Sequence, residues 1–407
     1  MAWDILTLGE VLSIKHGWAF KGEHFVQNGE YIVLTPGNIH ESGGLKLKGE
    51  KEIFYDGDFP EEYILSKGDM LVVMTDLKQT APILGGALII PEDNRFLHNQ
   101  RLGLVDIKNR SKIDYKFIYY IFNSEFFRSL VRTTATGATV RHTAPSRIYD
   151  CKVPCPKDIH EQKRVASVLS TYDDLIANNN RRMELLEESM RLLYREWFVH
   201  LRFPGYERAK IVDSLPNGWE KKFLSQIAVV NNQTLTKSTA PKLINYIDIS
   251  SVSPGHINQV TLINFSNAPS RARRIVKHGD IIWSSVRPNR RSYSLILHPE
   301  ENTIVSTGFA VITSIDVPYT FLYFAVTTDD FAKRLSNIAT GAAYPAVKTK
   351  DFEDAIITIP SKSLLIDFNK FAGPIVLQIH TLRQHNQSLR KARDMLLPRL
   401  MNGSIPV

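Results

Sequence analysis

Two long stretches of the chain carry apolar side chains at spacings that alternate between four and three residues. The first runs from Val165 to Trp197 and the second from Phe368 to Leu400. This alternation is the seam of a heptad repeat, which lines one face of a long helix. Each seam spans 33 residues, so each predicted helix is about 50 Å long. The seam positions are Val165, Leu169, Tyr172, Ile176, Asn179, Met183, Leu186, Met190, Leu193 and Trp197, and then Phe368, Ala372, Ile375, Ile379, Leu382, Asn386, Leu389, Arg393, Leu396 and Leu400.

The length of the seams favours a coiled coil between the two helices. An amphipathic helix packed on its own domain is the simpler interpretation for a stripe of about 15 residues, but these stripes are longer. Antiparallel pairing with full overlap places Trp197 opposite Phe368 and Asn179 opposite Asn386. A polar residue in the seam is a known means of fixing register, so the two Asn residues predict a single register.

The two regions outside the helices are rich in Gly, Pro, Asn and short apolar runs. Runs such as "MLVVMT", "GALIIP", "DIIWSS" and "AIITIP" predict short strands between turns. One helix is expected near 115–130 and a counterpart near 319–335. The mixture predicts two α+β domains with twisted, mostly antiparallel sheets.

The domain boundaries follow from the signals at the ends of the helices. Asp158 and Glu161 form a predicted capping box at the start of the first helix, and "FPGYE" predicts its end after Arg202. The predicted division is domain 1–156, helix 157–202, domain 203–360 and helix 361–407.

The two domains repeat each other. Thr136-Gly137-Ala138 recurs 204 positions later as Thr340-Gly341-Ala342, and "KGDMLV" at 67–72 resembles "HGDIIW" at 278–283. The chain is therefore a tandem duplication, and antiparallel helices would relate its copies by an approximate two-fold axis. The repeated glycine predicts a tight turn or a close backbone approach.

Composition adds a partner and a compartment to this architecture. The net charge of +8 and the pI near 9.2 favour an anionic partner such as nucleic acid. Only two cysteines are present, no run approaches the roughly 18 apolar residues of a membrane span, and the start "MAWDILTLGE" lacks a signal-peptide pattern. These features indicate a cytoplasmic protein.

The motifs of common enzymes are absent from the sequence. It has no phosphate loop, no dinucleotide fingerprint and no zinc-protease helix. Asp93, Asp106 and Lys108 loosely resemble the carboxylates and lysine of a Mg²⁺-dependent nuclease, but the second copy lacks the lysine. A zinc site from His142, Cys151, Cys155 and His160 fits no standard spacing. The chain is therefore predicted to be non-catalytic and to hold no metal.

The repeated layout resembles the specificity subunit of a type I DNA restriction-modification system over essentially its full length. The most specific motif is Pro-x-Pro at 154–156, followed by Glu161-Gln162 and then Ala166, Leu169 and Asp173. The second helix departs from this motif, with "SLLIDFNKF" where Glu-Gln would be expected. This departure predicts unequal contacts with the two partners.

The resemblance implies a function without chemistry in this chain. Each recognition domain would read one half of an interrupted double-stranded DNA target, and the helices would set the gap. Two modification subunits would bring S-adenosylmethionine and methylate adenine, while restriction subunits would supply ATP- and Mg²⁺-dependent translocation and cleavage. This chain would bind none of these cofactors.

The candidate DNA contacts are side chains that can reach base edges or phosphates. The group at 287–291 is the strongest because four basic or amide residues share one turn, whereas any single candidate could be a solvated surface residue. The candidates are Thr75, Lys78, Gln79, Thr139, Arg141 and His142 in the first domain, and Ser285, Arg287, Asn289, Arg290, Arg291, Tyr293, Tyr344, Lys348 and Lys350 in the second. The rival interpretations are a structural adaptor that never touches DNA and the nuclease described above.

Overall fold

The computed structural model describes residues 3–236 and 238–407. The chain divides into two compact units. Unit 1 comprises residues 1–178 and 386–407, and unit 2 comprises residues 179–385. Each unit thus combines one predicted domain with part of both long helices.

The helices include short ones within the units and two very long ones. They are α1 (Leu8–Val11), α2 (Tyr115–Asn123), α3 (Glu125–Thr134), α4 (Pro145–Tyr149), α5 (Ile159–Tyr194), α6 (Leu224–Ile227), α7 (Tyr319–Val326), α8 (Asp329–Ile338), α9 (Thr349–Glu353) and α10 (Lys362–Met401). A π-helical turn over Arg195–Val199 extends α5. No helix within residues 3–236 and 238–407 is long and apolar enough to cross a membrane.

The strands are short, as the apolar runs predict. In unit 1 they are β1 (Trp3–Thr7), β2 (Leu12–His16), β3 (Phe25–Val26), β4 (Tyr31–Val33), β5 (Phe54–Tyr55), β6 (Met70–Val73), β7 (Thr75–Asp76), β8 (Ala87–Ile89), β9 (Phe96–Leu97), β10 (Leu102–Ile107), β11 (Arg141–His142) and β12 (Lys152–Pro156). In unit 2 they are β13 (Ile211–Val212), β14 (Leu215–Pro216), β15 (Glu220–Phe223), β16 (Ala228–Val230), β17 (Leu243–Ile247), β18 (Val252–Ser253), β19 (His256–Ile257), β20 (Thr261–Asn264), β21 (Ala272–Ile275), β22 (Ile281–Ser284), β23 (Tyr293–Leu295), β24 (Thr303–Ser306), β25 (Phe309–Ser314) and β26 (Ile356–Ile359).

The two units share one sheet plan. An antiparallel sheet has the order β2-β10-β6-β8 in unit 1 and β16-β25-β22-β23 in unit 2. A second four-stranded sheet has one parallel pair in each unit, β4 with β9 and β17 with β24. The pairs β1–β12 and β15–β26 are equivalent in the repeat, and each joins a strand near the start of its domain to the last strand. The predicted α+β class and duplication are confirmed.

The prediction of one helix near 115–130, with one counterpart near 319–335, is wrong in both copies. Ser124 interrupts it in unit 1 and caps α3 by accepting the Phe127 N–H, while Thr328 does the same for α8 with the Phe331 N–H. Hydroxyl side chains at this position satisfy an amide that a helix end leaves without a partner. Each domain therefore has two short helices where one was expected, α2 with α3 in unit 1 and α7 with α8 in unit 2.

The start of α5 is held by the residues of the specific motif, but not as a capping box. Asp158 accepts the His160 N–H at 2.9 Å, as a cap should. Glu161 instead accepts a hydrogen bond from the Trp3 indole at 3.1 Å. The buried Gln162 accepts the Asp114 N–H at 2.8 Å and donates to the Pro156 carbonyl at 2.9 Å. Glu161 and Gln162 therefore fasten the helix to its own domain.

In unit 1 the two helices run antiparallel. Val165 and Leu400 lie in the same buried cluster. Asp173 forms an ion pair with Arg393, and Asn386 donates to the Ile176 carbonyl at 3.4 Å. Residues later in α5 thus contact residues earlier in α10, which is the antiparallel arrangement.

In unit 2 the same antiparallel direction brings Trp197 to Phe368, with ring centroids 6.1 Å apart. This is the neighbour that full overlap predicts. Every described seam residue of both helices is buried or half-buried. The pairing of Asn179 with Asn386 joins residues of different units and stays a prediction.

Candidate functional site

Each unit presents two adjoining loops. We call residues 136–142 and 340–346 the glycine loops. We call residues 74–80 and 285–291 the strand loops, because they follow β6 and β22, and each of these strands comes directly after a Gly-Asp pair. Thr136 and His142 exchange backbone hydrogen bonds of 2.9 and 2.8 Å, and Thr340 and Ala346 exchange bonds of 3.0 and 2.9 Å. The closing pairs therefore occupy the same register of the repeat.

The glycine in each glycine loop is required by the backbone. Gly137 has φ +93° and Gly341 has φ +110°, in the region that side chains disfavour. A Cβ on Gly137 would lie 2.0 Å from the Val140 carbonyl oxygen, and one on Gly341 would lie 3.0 Å from that of Tyr344. The predicted tight turn with close backbone approach is confirmed at both positions.

The glycine loop is tied to the strand loop in both units. The Thr143 N–H donates to the Met74 carbonyl in unit 1, and the Val347 N–H donates to the Ser285 carbonyl in unit 2, each at 2.9 Å. Candidates far apart in sequence are thereby brought to one place in each unit.

In unit 1 the strand loop is organised by a residue that the sequence analysis missed. Asp76 is buried and accepts the N–H groups of Lys78 and Ile83, both at 2.9 Å. Its only sequence signal is its place shortly after the apolar run that forms β6. Lys78 and Gln79 are exposed. Lys78 forms an exposed ion pair with Glu41 at 3.0 Å, and the hydrogen bond to Glu41 raises the lysine pKa.

Four further candidates of unit 1 differ in accessibility. Thr139 is exposed. Thr75, expected at the surface, is instead buried, with its hydroxyl 3.0 Å from Nδ1 of the exposed His142. Arg141 donates to the carbonyls of Arg132 and Ala135 at 3.0 and 3.3 Å. Its guanidinium therefore caps α3 rather than pointing outward, as positively charged groups at helix C-termini do.

In unit 2 the strand loop is a short 3₁₀ turn between two arginines with left-handed backbones. Arg287 has φ +50° and Arg291 has φ +54°. Arg287 lies over the ring of the exposed Tyr344, 4.4 Å from its centroid, a cation–π contact. Arg291 pairs with Asp329 at 2.6 Å. Both arginines therefore shape the loop.

Asn289 and Arg290 stand between these two arginines. Both are exposed, and neither side chain makes a hydrogen bond or ion pair to the rest of the described chain. The turn thus displays an amide and a guanidinium that are available to a ligand.

The other candidates of unit 2 are less available. Tyr293, expected to contact DNA, is 2% exposed and packs on Trp283 with ring centroids 5.5 Å apart. Ser285 is half-buried, Lys348 is exposed, and Lys350 pairs with Asp354 at 2.9 Å. Tyr293 lies near the arginines in sequence, but it begins the buried strand β23 and is therefore not available at the surface.

The structure gives the alternative chemical sites no support. Asp93 accepts the Lys67 N–H at 2.8 Å, and Lys108 donates to the Gly9 carbonyl at 2.6 Å. Burial raises the pKa of the Cys155 thiol to about 12, whereas zinc binds thiolates. Across the part of the chain that the structure describes, no group of three His, Cys, Asp or Glu side chains is arranged to hold a metal ion.

Comparison with known proteins finds a family model that resembles the first part of the chain. Residues 2–188 match the family model described as the type I restriction modification DNA specificity domain. The relatives and the solved structure that the chain resembles are specificity subunits of type I restriction-modification systems.

Relatives and a solved structure match well beyond the first domain. The MjaIX specificity subunit of Methanocaldococcus jannaschii is 25% identical over 84% of this chain and 79% of its own length. The MjaVIII specificity subunit of the same organism is 21% identical, over 75% and 73%. The crystal structure of the type I S subunit from M. genitalium is 18% identical, covers 98% of this chain and 96% of its own, and has a TM-score of 0.58. That structure supports the fold along the chain.

Proposed function

We propose that the protein reads an interrupted DNA target, with unit 1 reading one half-site and unit 2 the other. The observation that carries this proposal is the repeated pair of loops. The same hydrogen bonds close and join the loops in both units, while the exposed side chains differ. A shared frame with different side chains suits two readers of different sequences.

The exposed side chains have the chemistry of base readers. Lys78 and Gln79 in unit 1, and Asn289 and Arg290 in unit 2, are exposed. Arg and Lys pair with guanine, and Asn and Gln pair with adenine, in the major groove. Each half-site is therefore expected to hold at least one purine contacted in this way.

The long helices support a role in setting the gap between the half-sites. α5 has 36 residues and α10 has 40, so they measure about 54 and 60 Å along their axes. One turn of the DNA double helix is about 34–36 Å long. The helices α5 and α10 are therefore of a suitable length to set the distance between two half-sites on one duplex.

The same helices are expected to recruit two modification subunits. Ile366 and Leu377 on α10 are 57% and 40% exposed, and they lie three turns apart on one face. The residues 203 positions earlier, on α5, are Lys163 and Asp174. The two docking faces therefore differ in polarity, which supports unequal contacts. We expect the partner subunits to bind S-adenosylmethionine, ATP and Mg²⁺. We expect the complex to act in the cytoplasm.

Native mass spectrometry of the protein co-expressed with its modification subunit tests this recruitment. We expect two modification subunits per chain, and only one after the combined change Ile366→Asp and Leu377→Asp, because a carboxylate is costly to bury in an apolar contact. A single modification subunit on the unchanged chain, or two on the doubly changed chain, would contradict this.

A further inference from the structure

Arg191, on the face of α5 that meets the sheet of unit 2, contacts three parts of that unit. Its Nη2 donates to Glu187 at 2.8 Å and to the Tyr293 hydroxyl at 3.2 Å, and its Nη1 lies 3.4 Å from the Thr327 hydroxyl. The guanidinium also lies over the rings of Tyr293 and Phe324, at 6.0 and 5.9 Å. No residue of another type offers this planar fork of donors.

Two of these contacts lead directly to the strand loop of unit 2. Tyr293 is the second residue after that loop, and it packs on Trp283 of β22, which precedes the loop. The Thr327 hydroxyl accepts a hydrogen bond from Arg191. The Thr327 carbonyl accepts one at 3.3 Å from Arg291, the last residue of the loop. The guanidinium of Arg191 therefore contacts Tyr293 and Thr327, the two residues that connect it to the C-terminal end of the loop.

A second contact joins α10 to the same strand. The Gly255 N–H donates to the Tyr293 carbonyl at 2.9 Å, and the Gly255 carbonyl accepts Arg383 of α10 at 2.8 Å. Gly255 has φ +71°, and a Cβ there would lie 3.0 Å from a Glu187 oxygen. The positive φ favours glycine at this turn. Tyr293 is thus linked to Arg191 of α5 directly and to Arg383 of α10 through Gly255.

This arrangement is particular to unit 2. The residue of α10 that corresponds to Arg191, 203 positions later, is Asp394. Asp394 pairs with its neighbour Arg393 at 2.8 Å and offers no fork of donors to unit 1.

We propose that Arg191 is a positioning residue that couples α5 to the strand loop of unit 2 and so sets the placement of Asn289 and Arg290. This inference rests on the proposed reading of DNA by that loop. Loss of the guanidinium would leave the Tyr293 hydroxyl and Glu187 without their shared donor. The loop would then present its exposed side chains in more than one position, and discrimination between bases would fall.

The test uses the complex with the modification subunits and measures its affinity for the target and for DNA altered in either half-site. We expect Arg191→Met to reduce discrimination about tenfold at the half-site that Arg290 reads, within the range for one base contact, and to leave the other half-site unchanged. Arg191→Lys should restore part of the loss, and Tyr293→Phe should show a smaller loss at the same half-site. Arg181→Met is the matched control, since Arg181 lies on the same helix in an exposed ion pair with Glu184.

The outcomes separate the inference from the proposed function. If Arg290→Ala loses discrimination and Arg191→Met does not, the positioning role fails while DNA reading by the loop stands. If Arg290→Ala loses none, the loop does not read DNA and both proposals fail. Equal losses at both half-sites in Arg191→Met, with a lower melting temperature and no recovery in Arg191→Lys, would show a merely structural role and overturn the inference.

Discussion

Replacing Arg393 with Met should lower the free energy of unfolding by about 2–3 kcal/mol. The side chains of Arg393 and Asp173 are 13% and 27% exposed and form an ion pair across the two helices of unit 1. Asp173 also accepts the Tyr120 hydroxyl at 2.7 Å. Removing only the cation leaves a largely buried carboxylate without its partner, which is the costly way to break such a pair. Urea unfolding followed by circular dichroism measures the loss.

Unit 2 shows how the loss can be reversed. The residues that correspond to Asp173, Arg393 and Tyr120 in the repeat are Val376, Met190 and Phe324, and all three lie in a buried apolar cluster. Apolar residues can replace a buried ion pair without loss of stability.

The combined change Asp173→Val, Arg393→Met and Tyr120→Phe should therefore recover most of the stability that Arg393→Met loses. Arg181→Met, which removes an exposed ion pair, serves as the control and should cost about 0.5 kcal/mol or less. A triple variant as unstable as the single one would show that unit 1 cannot accept the apolar solution of unit 2.

Replacing Arg290 with Ala should weaken target binding by about tenfold or more, since a base contact by arginine contributes about 1–3 kcal/mol. The effect should be confined to one half-site, because the exposed Arg290 belongs to the strand loop of unit 2 alone. Titration of the complex with labelled DNA, altered in one half-site at a time, measures it.

The control for Arg290 is Lys221→Ala, which removes one positive charge from an exposed position of the same unit outside the two loops. A general electrostatic role would make the two variants alike and lower the salt dependence of both. Unchanged affinity in Arg290→Ala would remove the loop from the interface, and a complex that binds no DNA at all would favour a structural adaptor.

The frame of the molecule could be predicted because it depends on periodic or repeated signals. The heptad spacing located seams whose described residues are all buried or half-buried. The repeated Thr-Gly-Ala located two turns that need glycine. Such patterns are local, and the sequence carries them directly.

The use of individual polar side chains could not be predicted, because it depends on neighbours distant in sequence. Arg393 occupies a seam position, yet its partner Asp173 lies 220 residues away. Arg141 and Arg290 look alike as basic residues beside a turn. The first caps α3, whereas the second is exposed and has no hydrogen bond or ion pair to the described part of the chain.

Mapping of methylated adenine across the genome of a host that carries the complete system tests the reading by two units most directly. We expect a motif of two short specified segments, separated by a fixed number of unspecified positions, with a methylated adenine in each segment. Arg290→Ala should relax one segment and leave the other intact. A single continuous motif, or a variant that relaxes both segments equally, would contradict the assignment of one half-site to each unit.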